Sequence, residues 1–280
     1  MPRFDAYTAT TRSLSVPAAT RFARQFMEPG DRVIEGRGYH RFGAKYAIKG
    51  RDGSERLSVL WGGEHGDLVM IESKGERTPE VVAELRGVVR DHRCTRADSC
   101  EDFDELGAWD RLLGLVLGVK ESSCLRGERR GDWDYPEDGR TMYLGAPSSA
   151  VRARLYEKGK EPELRHLGRE NWVRLEVQVR PVGVAKHAFA QADAVQVWGA
   201  TAYTRELAGR CLNADVERLS AVPYRKTERD RALGFMCAQY GSHLLSLKEE
   251  SGDWQCVGLT LRDMIVDQAE IKERRKHAAR

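Results

Sequence analysis

The stretch Trp172-Val173-Arg174-Leu175-Glu176-Val177-Gln178-Val179-Arg180 alternates without a break: Val173, Leu175, Val177 and Val179 fall on one side, Arg174, Glu176, Gln178 and Arg180 on the other. Successive side chains of a strand point to opposite faces, so this run is a strand with one face that must be covered and one that is polar. Such a strand belongs to an antiparallel sheet packed on helices from one side only. The polar face, a carboxylate between two arginines, is equally readable as a solvated surface or as part of a site.

Two runs upstream repeat the pattern. In residues 151–158, Arg152, Arg154, Tyr156 and Lys158 share one face against Val151, Ala153 and Leu155. In residues 93–102, Arg96, Asp98, Cys100 and Asp102 share another. Shorter alternating runs at 4–10, 39–49, 56–61, 67–73 and 141–144 complete the expected strands. Residues 78–92 open with Thr78-Pro79-Glu80, a cap followed by proline at the first helical position, and with 106–117, 185–194 and 204–212 they read as flanking helices. The expected fold is therefore α+β: a central antiparallel sheet with flanking helices over residues 1–212, then a small helical region over 213–280. In that tail, Val222-Pro223-Tyr224-Arg225-Lys226 reads as a linker, 228–248 as a helix with Leu233, Met236, Tyr240, Leu244 and Leu247 at helical spacing, and 259 onward as a helix ending in a basic run from Lys272. No internal repeat and no low-complexity segment is evident.

At 280 residues with 41% hydrophobic composition, the chain can build one large core with an appendage. It carries no apolar run long enough for a membrane span and no apolar stretch of a signal peptide at its start, so a cytoplasmic location and no membrane partner are expected. Six scattered cysteines without a CxxC pair argue against a zinc knuckle or a disulfide framework and for free thiols. The net charge of +3, left from 46 basic and 43 acidic residues, does not by itself announce a nucleic-acid partner. Gly36, Gly38, Gly62 and Gly63 are turn glycines without the Lys-Ser or Lys-Thr of a phosphate-binding loop, so no ATPase is indicated.

If the three polar faces meet in one sheet, they assemble clustered carboxylates, which suit a hard divalent cation, beside a tyrosine flanked by cations. Neighbouring cations favour a phenolate, and a metal polarises a phosphodiester, so such a face could join a DNA 5′ phosphate to tyrosine and free a 3′ hydroxyl. The alternative for the acidic pair is an exposed polar edge, and for Tyr156 a ring packed within the sheet.

The ordered set Thr95-Arg96-x-Asp98-x-x-x-Asp102, Thr141-Met142-Tyr143-Leu144-Gly145, Arg154-Leu155-Tyr156-Glu157-Lys158-x-x-Glu161 and Arg174-Leu175-Glu176 resembles the replication initiation factor family. That family groups replication proteins of filamentous phages, initiators of small staphylococcal rolling-circle plasmids and relaxases of some conjugative elements. The similarity runs from about residue 4 to residue 212, and Gln239-Tyr240-Gly241-Ser242-His243-Leu244 looks like the phage branch.

The resemblance implies the fold of rolling-circle nicking domains and an origin-specific endonuclease and strand transferase. It implies Asp98 and Glu176 as ligands of Mg2+ or Mn2+, with Asp102 a weaker third and Asp5 a guess. No His-hydrophobic-His triplet occurs in the chain, so carboxylates take the place of the histidine metal site of other initiators. Tyr156 is the expected nucleophile, with Arg154 and Lys158 assisting; Tyr203, at the start of a helix after the last strand, is the runner-up, and Tyr224 is a DNA contact. DNA contacts are expected from Arg96, Arg152 and Arg174, and from a basic and aromatic loop holding Arg126, Arg129 and Arg130 with Trp133 and Tyr135. The expected partners are origin DNA, as duplex or extruded single strand, and a host helicase; a homodimer at the origin is left open. A conjugative relaxase of the same chemistry and a non-catalytic origin-binding or copy-control protein remain the alternatives.

Overall fold

The computed structural model of the chain describes residues 1–222 and 228–278. Contacts divide the chain into two units, Met1–Pro223 and Tyr224–Arg280.

The first unit is built on one ten-stranded sheet in which every pairing is antiparallel. The chain runs β1 (Arg3–Thr11), α1 (Val16–Arg24), β2 (Arg32–Arg37), β3 (Ala44–Lys49), β4 (Glu55–Trp61), β5 (Val69–Lys74) and α2 (Thr78–Val88). It then runs β6 (Arg93–Asp104), α3 (Ala108–Ser122), β7 (Gly127–Arg130), β8 (Thr141–Leu144), β9 (Val151–Tyr156), β10 (Trp172–Val179), α4 (Ala185–Gln191) and α5 (Ala202–Leu212). Strand order across the sheet is β2-β3-β4-β5-β1-β6-β10-β9-β8-β7. The same element order, β-α-β-β-β-β-α, thus occurs twice, and the two copies join through β1 and β6. The repeat absent from the sequence is present in the topology.

One face of the sheet is covered by helices and holds the main core, including Tyr7, Ile71, Val59, Leu155, Leu175, Val177, Leu112, Phe189 and Trp198. These are the apolar members of the alternating runs, as the patterning requires. Ser99 fastens β6 to the segment after α4: its Oγ donates to the Ala194 carbonyl at 2.6 Å and accepts from Trp198 Nε1 at 2.9 Å. Within the first unit the other face, the open face, is not covered by the core-forming helices, and it is polar apart from a patch of Phe42, Leu60 and Met70. Three elements were not expected from the sequence. Helix α1 starts at the Ser15 cap with proline in its first turn, whereas β2 and β7 are the two edge strands and are largely exposed.

Residues 213–222 pack with the sheet rather than with the tail: Val216 and Ala221 are in the core, and Leu219 N–H donates to the Gly199 carbonyl at 2.9 Å. The second unit is a pair of long helices, α6 (Glu228–Ser251) and α7 (Trp254–Ala278), in contact with each other. Asp253 caps α7 by accepting from Cys256 N–H at 2.8 Å. Tyr224, Arg225, Lys226 and the side chains of the basic run from Lys272 lie outside the described residues. All six cysteines are free thiols. Among the described residues no helix is long and apolar enough to cross a membrane.

Candidate active site on the open face

Register brings the three sequence runs together. On β9 and β10, Arg154 stands opposite Glu176, Tyr156 opposite Arg174, and Arg152 opposite Gln178. On β10 and β6, Gln178 stands opposite Asp98 and Arg174 opposite Asp102. Asp98, Glu176, Arg154 and Tyr156 therefore share the open face of three adjacent strands.

Each carboxylate is held differently. Arg96 grips Asp98 with its Nε, 2.9 Å from Oδ1, and Gln178 Nε2 donates to Asp98 Oδ2 at 3.1 Å. Glu176 accepts from Arg154 Nη2 at 2.8 Å and is almost wholly buried. Burial first, and then the neighbouring charge of Asp98, push its carboxyl up to about 7, against the pull of Arg154. Asp98 and Glu176 are the two carboxylates of this face that could hold a hard divalent cation, which takes oxygen ligands.

Asp102 is not part of that pair. It accepts from Arg174 Nε at 2.6 Å and Nη2 at 2.9 Å, from Trp172 Nε1 at 2.9 Å and from Arg3 Nη2 at 3.0 Å. Arg174 pulls its carboxyl below the ordinary range against the effect of burial. Among the described residues, no group of three or more His, Cys, Asp or Glu side chains could hold a metal. Asp5 likewise accepts from Arg174, whose Nη1 lies 2.7 Å from its Oδ1. Arg174 is a buried clamp between β1, β6 and β10, not the surface phosphate contact expected from the sequence.

The Tyr156 ring lies under the Arg154 guanidinium, 4.6 Å from its centroid, with Lys158 Nζ at 5.7 Å. Strand β9 ends at Tyr156 itself, and Lys158 enters from a short 3-10 turn where it pairs with Glu161. The turn is fixed by Glu157, which accepts from Arg140 Nε and Nη2, both at 2.9 Å. Gly159 is required there, because a Cβ would stand 1.7 Å from the Arg169 carbonyl oxygen. The two cations do not lower the phenol as the sequence suggested. Burial and the charge of Glu176 outweigh Arg154 and Arg174, and Tyr156 is held well above its ordinary value.

Tyr203 is buried in the helix-covered core, its hydroxyl has no hydrogen-bond partner, and burial raises it. Among the described residues no charged neighbour contributes to that rise. The expected basic loop proves to be β7 and the turn after it, and its residues are divided between faces. Arg130 is on the open face 5.4 Å from the Tyr143 ring, whereas Arg129 pairs with Met142 and stacks at 4.4 Å on Trp133, which packs against Trp109. Arg126 is exposed just before β7.

Sequence reading left Tyr143 and Gln178 without a role. Tyr143 stands opposite Arg154, and Arg152 lies 3.8 Å over its ring. With Ala153 and Glu176 these residues line a cavity of about 140 Å³. A larger one, about 620 Å³, opens beside Asp5, Lys158, Trp172 and Arg174, and its walls mix acidic and basic side chains. The signal for Tyr143 and Gln178 was their strand parity, which places them on the face that carries Glu176.

The fold and site thus define an α+β protein with a half-covered antiparallel sheet and a carboxylate, arginine and tyrosine cluster on its open face. No protein-family model and no curated protein matches the chain. Among solved structures it is similar to a rolling circle replication initiator protein from Geobacillus stearothermophilus, with 20% identity, a TM-score of 0.48, and coverage of 68% of this chain and 77% of that one.

Proposed function

We propose that the chain is a rolling-circle replication initiator that nicks one strand of its origin through Tyr156. The observation that carries this reading is the joint placement of Tyr156, Arg154, Glu176 and Asp98 on one open face, which supports the assignment suggested by the sequence motifs. Tyr156 Oη forms a bond to phosphorus as the phosphorus–O3′ bond breaks; the phenol gives up its proton and the departing 3′ oxygen takes one. The product is a 5′-phosphotyrosyl adduct and a 3′-hydroxyl primer.

Arg154 is placed to follow both ends of this exchange, since it lies over the Tyr156 ring and bonds Glu176. Asp98 and Glu176 are the residues that would hold Mg2+ or Mn2+, which when bound polarises the phosphodiester and stabilises developing charge. The buried phenol is protonated at rest, so binding of the strand and its counter-ions must precede attack. Arg96, Arg152 and Arg130 supply positive charge along the same face for the strand. Origin DNA is the partner, and unwinding is left to a host helicase. The helical unit beyond residue 222 serves origin or partner recognition; a truncation testing this should end after residue 222, because Val216 and Ala221 belong to the first unit's core.

The test is peptide mapping of the protein–DNA complex formed on supercoiled DNA of the replicon that encodes the chain. The expected result is a metal-dependent adduct on Tyr156, absent from Tyr156→Phe, which keeps the ring. An adduct on Tyr203 would move the nucleophile; nicking with no adduct would replace the mechanism by hydrolysis.

A further inference from the structure

The cavity of about 140 Å³ beside Glu176 is framed by two arginines that are unusually under-used. Arg152 makes one side-chain hydrogen bond, from Nη2 to Glu128 at 2.6 Å, and Arg154 makes one, from Nη2 to Glu176 at 2.8 Å. The Nε–H of each is buried and has no acceptor. Arg152 Nη1 and Arg154 Nη1 make no hydrogen bond among the described residues and, unlike the Nε groups, are not sealed off, so the unmatched donors of both guanidiniums point to an acceptor-bearing occupant. Arg174, two residues from Glu176 on the same strand, shows the contrast, with Nε and both Nη groups bonded to carboxylates.

The rest of the wall narrows the chemistry. Arg152 is held over the Tyr143 ring, its Cζ 3.8 Å from the centroid, which restrains the guanidinium. Gln178 gives Nε2 to Asp98 and keeps its amide oxygen free of any intramolecular bond among the described residues. Two guanidiniums from β9 facing an amide acceptor on β10 match the mixed edge of a nucleobase better than a phosphate, which only accepts. At about 140 Å³ the cavity has room for one planar base.

Resting on the nicking assignment above, we propose that this cavity takes one unpaired base next to the scissile phosphate. Arg152, Arg154 and Gln178 read it there, with guanine the fitting base because it offers O6 and N7 as acceptors to the arginines and N1–H and N2–H as donors to the Gln178 amide oxygen. Tyr143 is a positioning residue that acts through Arg152.

The experiment uses the full chain carrying Tyr156→Phe, with magnesium, and a pool of short random-sequence single-stranded oligonucleotides; retained strands are sequenced and one is remade in variants. One position should carry guanine, and any other base or an abasic site there should weaken binding about tenfold or more. Abasic sites elsewhere should weaken it less than about threefold. Arg152→Met and Gln178→Met should each shrink the discrimination at that position to about twofold. Equal affinity for all four bases at every position overturns the proposal, as does a preference for adenine or a preference that both variants retain. Should the variants fail to fold, the base series on the Tyr156→Phe chain decides alone. An adduct formed by the unmodified chain on the selected strand, without base preference, sinks only the pocket, whereas failure to retain any strand sinks the nicking assignment with it.

Discussion

The half of the sheet from β1 to β5 and the half from β6 to β10 share one element order and one strand order, yet their open faces differ in kind. On the first half, Phe42, Leu60 and Met70 with Tyr39 and Leu68 form an apolar cap, Tyr39 donates to Glu72, and Lys45 pairs with Glu55 at 2.7 Å. On the second half there is no comparable cap among the described residues; arginines lie over Tyr143 and Tyr156 beside Asp98 and Glu176. Glu72 faces Thr8 on β1 and Ser58 on β4, whereas Glu176 has Arg154 opposite and Asp98 close enough to raise it. The same scaffold thus carries one closed surface and one chemical surface, and the difference lies in a few outward positions.

The largest expected break in this comparison is structural. Arg174→Met should leave Asp5 and Asp102 with only the partly exposed Arg3 as a counter-charge and lower stability by about 3 kcal/mol, read by chemical denaturation. Lys45→Met on the first half, which removes a partly exposed pair, should cost less than about 1 kcal/mol. Equal losses would show that the second half is not the one built around buried charge.

Next comes activity. Glu176→Gln should reduce adduct formation about 100-fold, equivalent to about 2.7 kcal/mol. Single-turnover assays on the same strand would measure it, and a loss under fivefold would remove Glu176 from the site.

A pH effect should arise in the core behind the first half. His92 accepts from the Tyr7 hydroxyl, 3.0 Å from Nε2, and its Nδ1–H donates to the Val89 carbonyl at 2.7 Å, so it is built in as the neutral ring. Burial lowers its pKa, helped by Arg86 and opposed by the Val89 carbonyl and Asp91. The unfolded chain then takes up a proton that the folded chain refuses. The contribution is fully present above about 6.5 and declines as pH falls below it, by up to about 1.4 kcal/mol per pH unit. His92→Gln should flatten that slope in denaturation curves measured across the range; an unchanged slope would place its origin elsewhere. The smallest effect is expected from Glu72→Gln, which should alter adduct formation less than about twofold.

The central strands are legible where their alternation is strict: β10 and β9 each bury one full side, and parity puts their polar residues on the face that also carries Asp98 of β6. The edge strands are not. Arg32–Arg37 is exposed along its whole length and Gly127–Arg130 nearly so, which leaves no burial to impose a period of two. Parity along a strand could bring Asp102 and Glu176 onto one face, but it could not show that Arg174, Trp172 and Arg3 surround Asp102. Nor could it show that burial would outweigh two cations at Tyr156, since charge order is written in the sequence and depth is not. Arg129 and Arg130, adjacent in sequence, were expected to act together; as neighbours on a strand they point to opposite faces.

The position of β1 also bears on how the protein comes off the ribosome. Its neighbours in the sheet are β5 and β6, and β5 begins at Val69, so β1 has no partner strand until roughly sixty further residues have been made. At about 5–20 residues per second that is a wait of about 3–12 seconds. Through that interval Phe4-Asp5-Ala6-Tyr7-Thr8-Ala9-Thr10-Thr11, an unpaired strand rich in aromatic and β-branched residues, is a template for any other chain. The strand that later welds the two halves is therefore, during synthesis, the segment most in need of a holding chaperone.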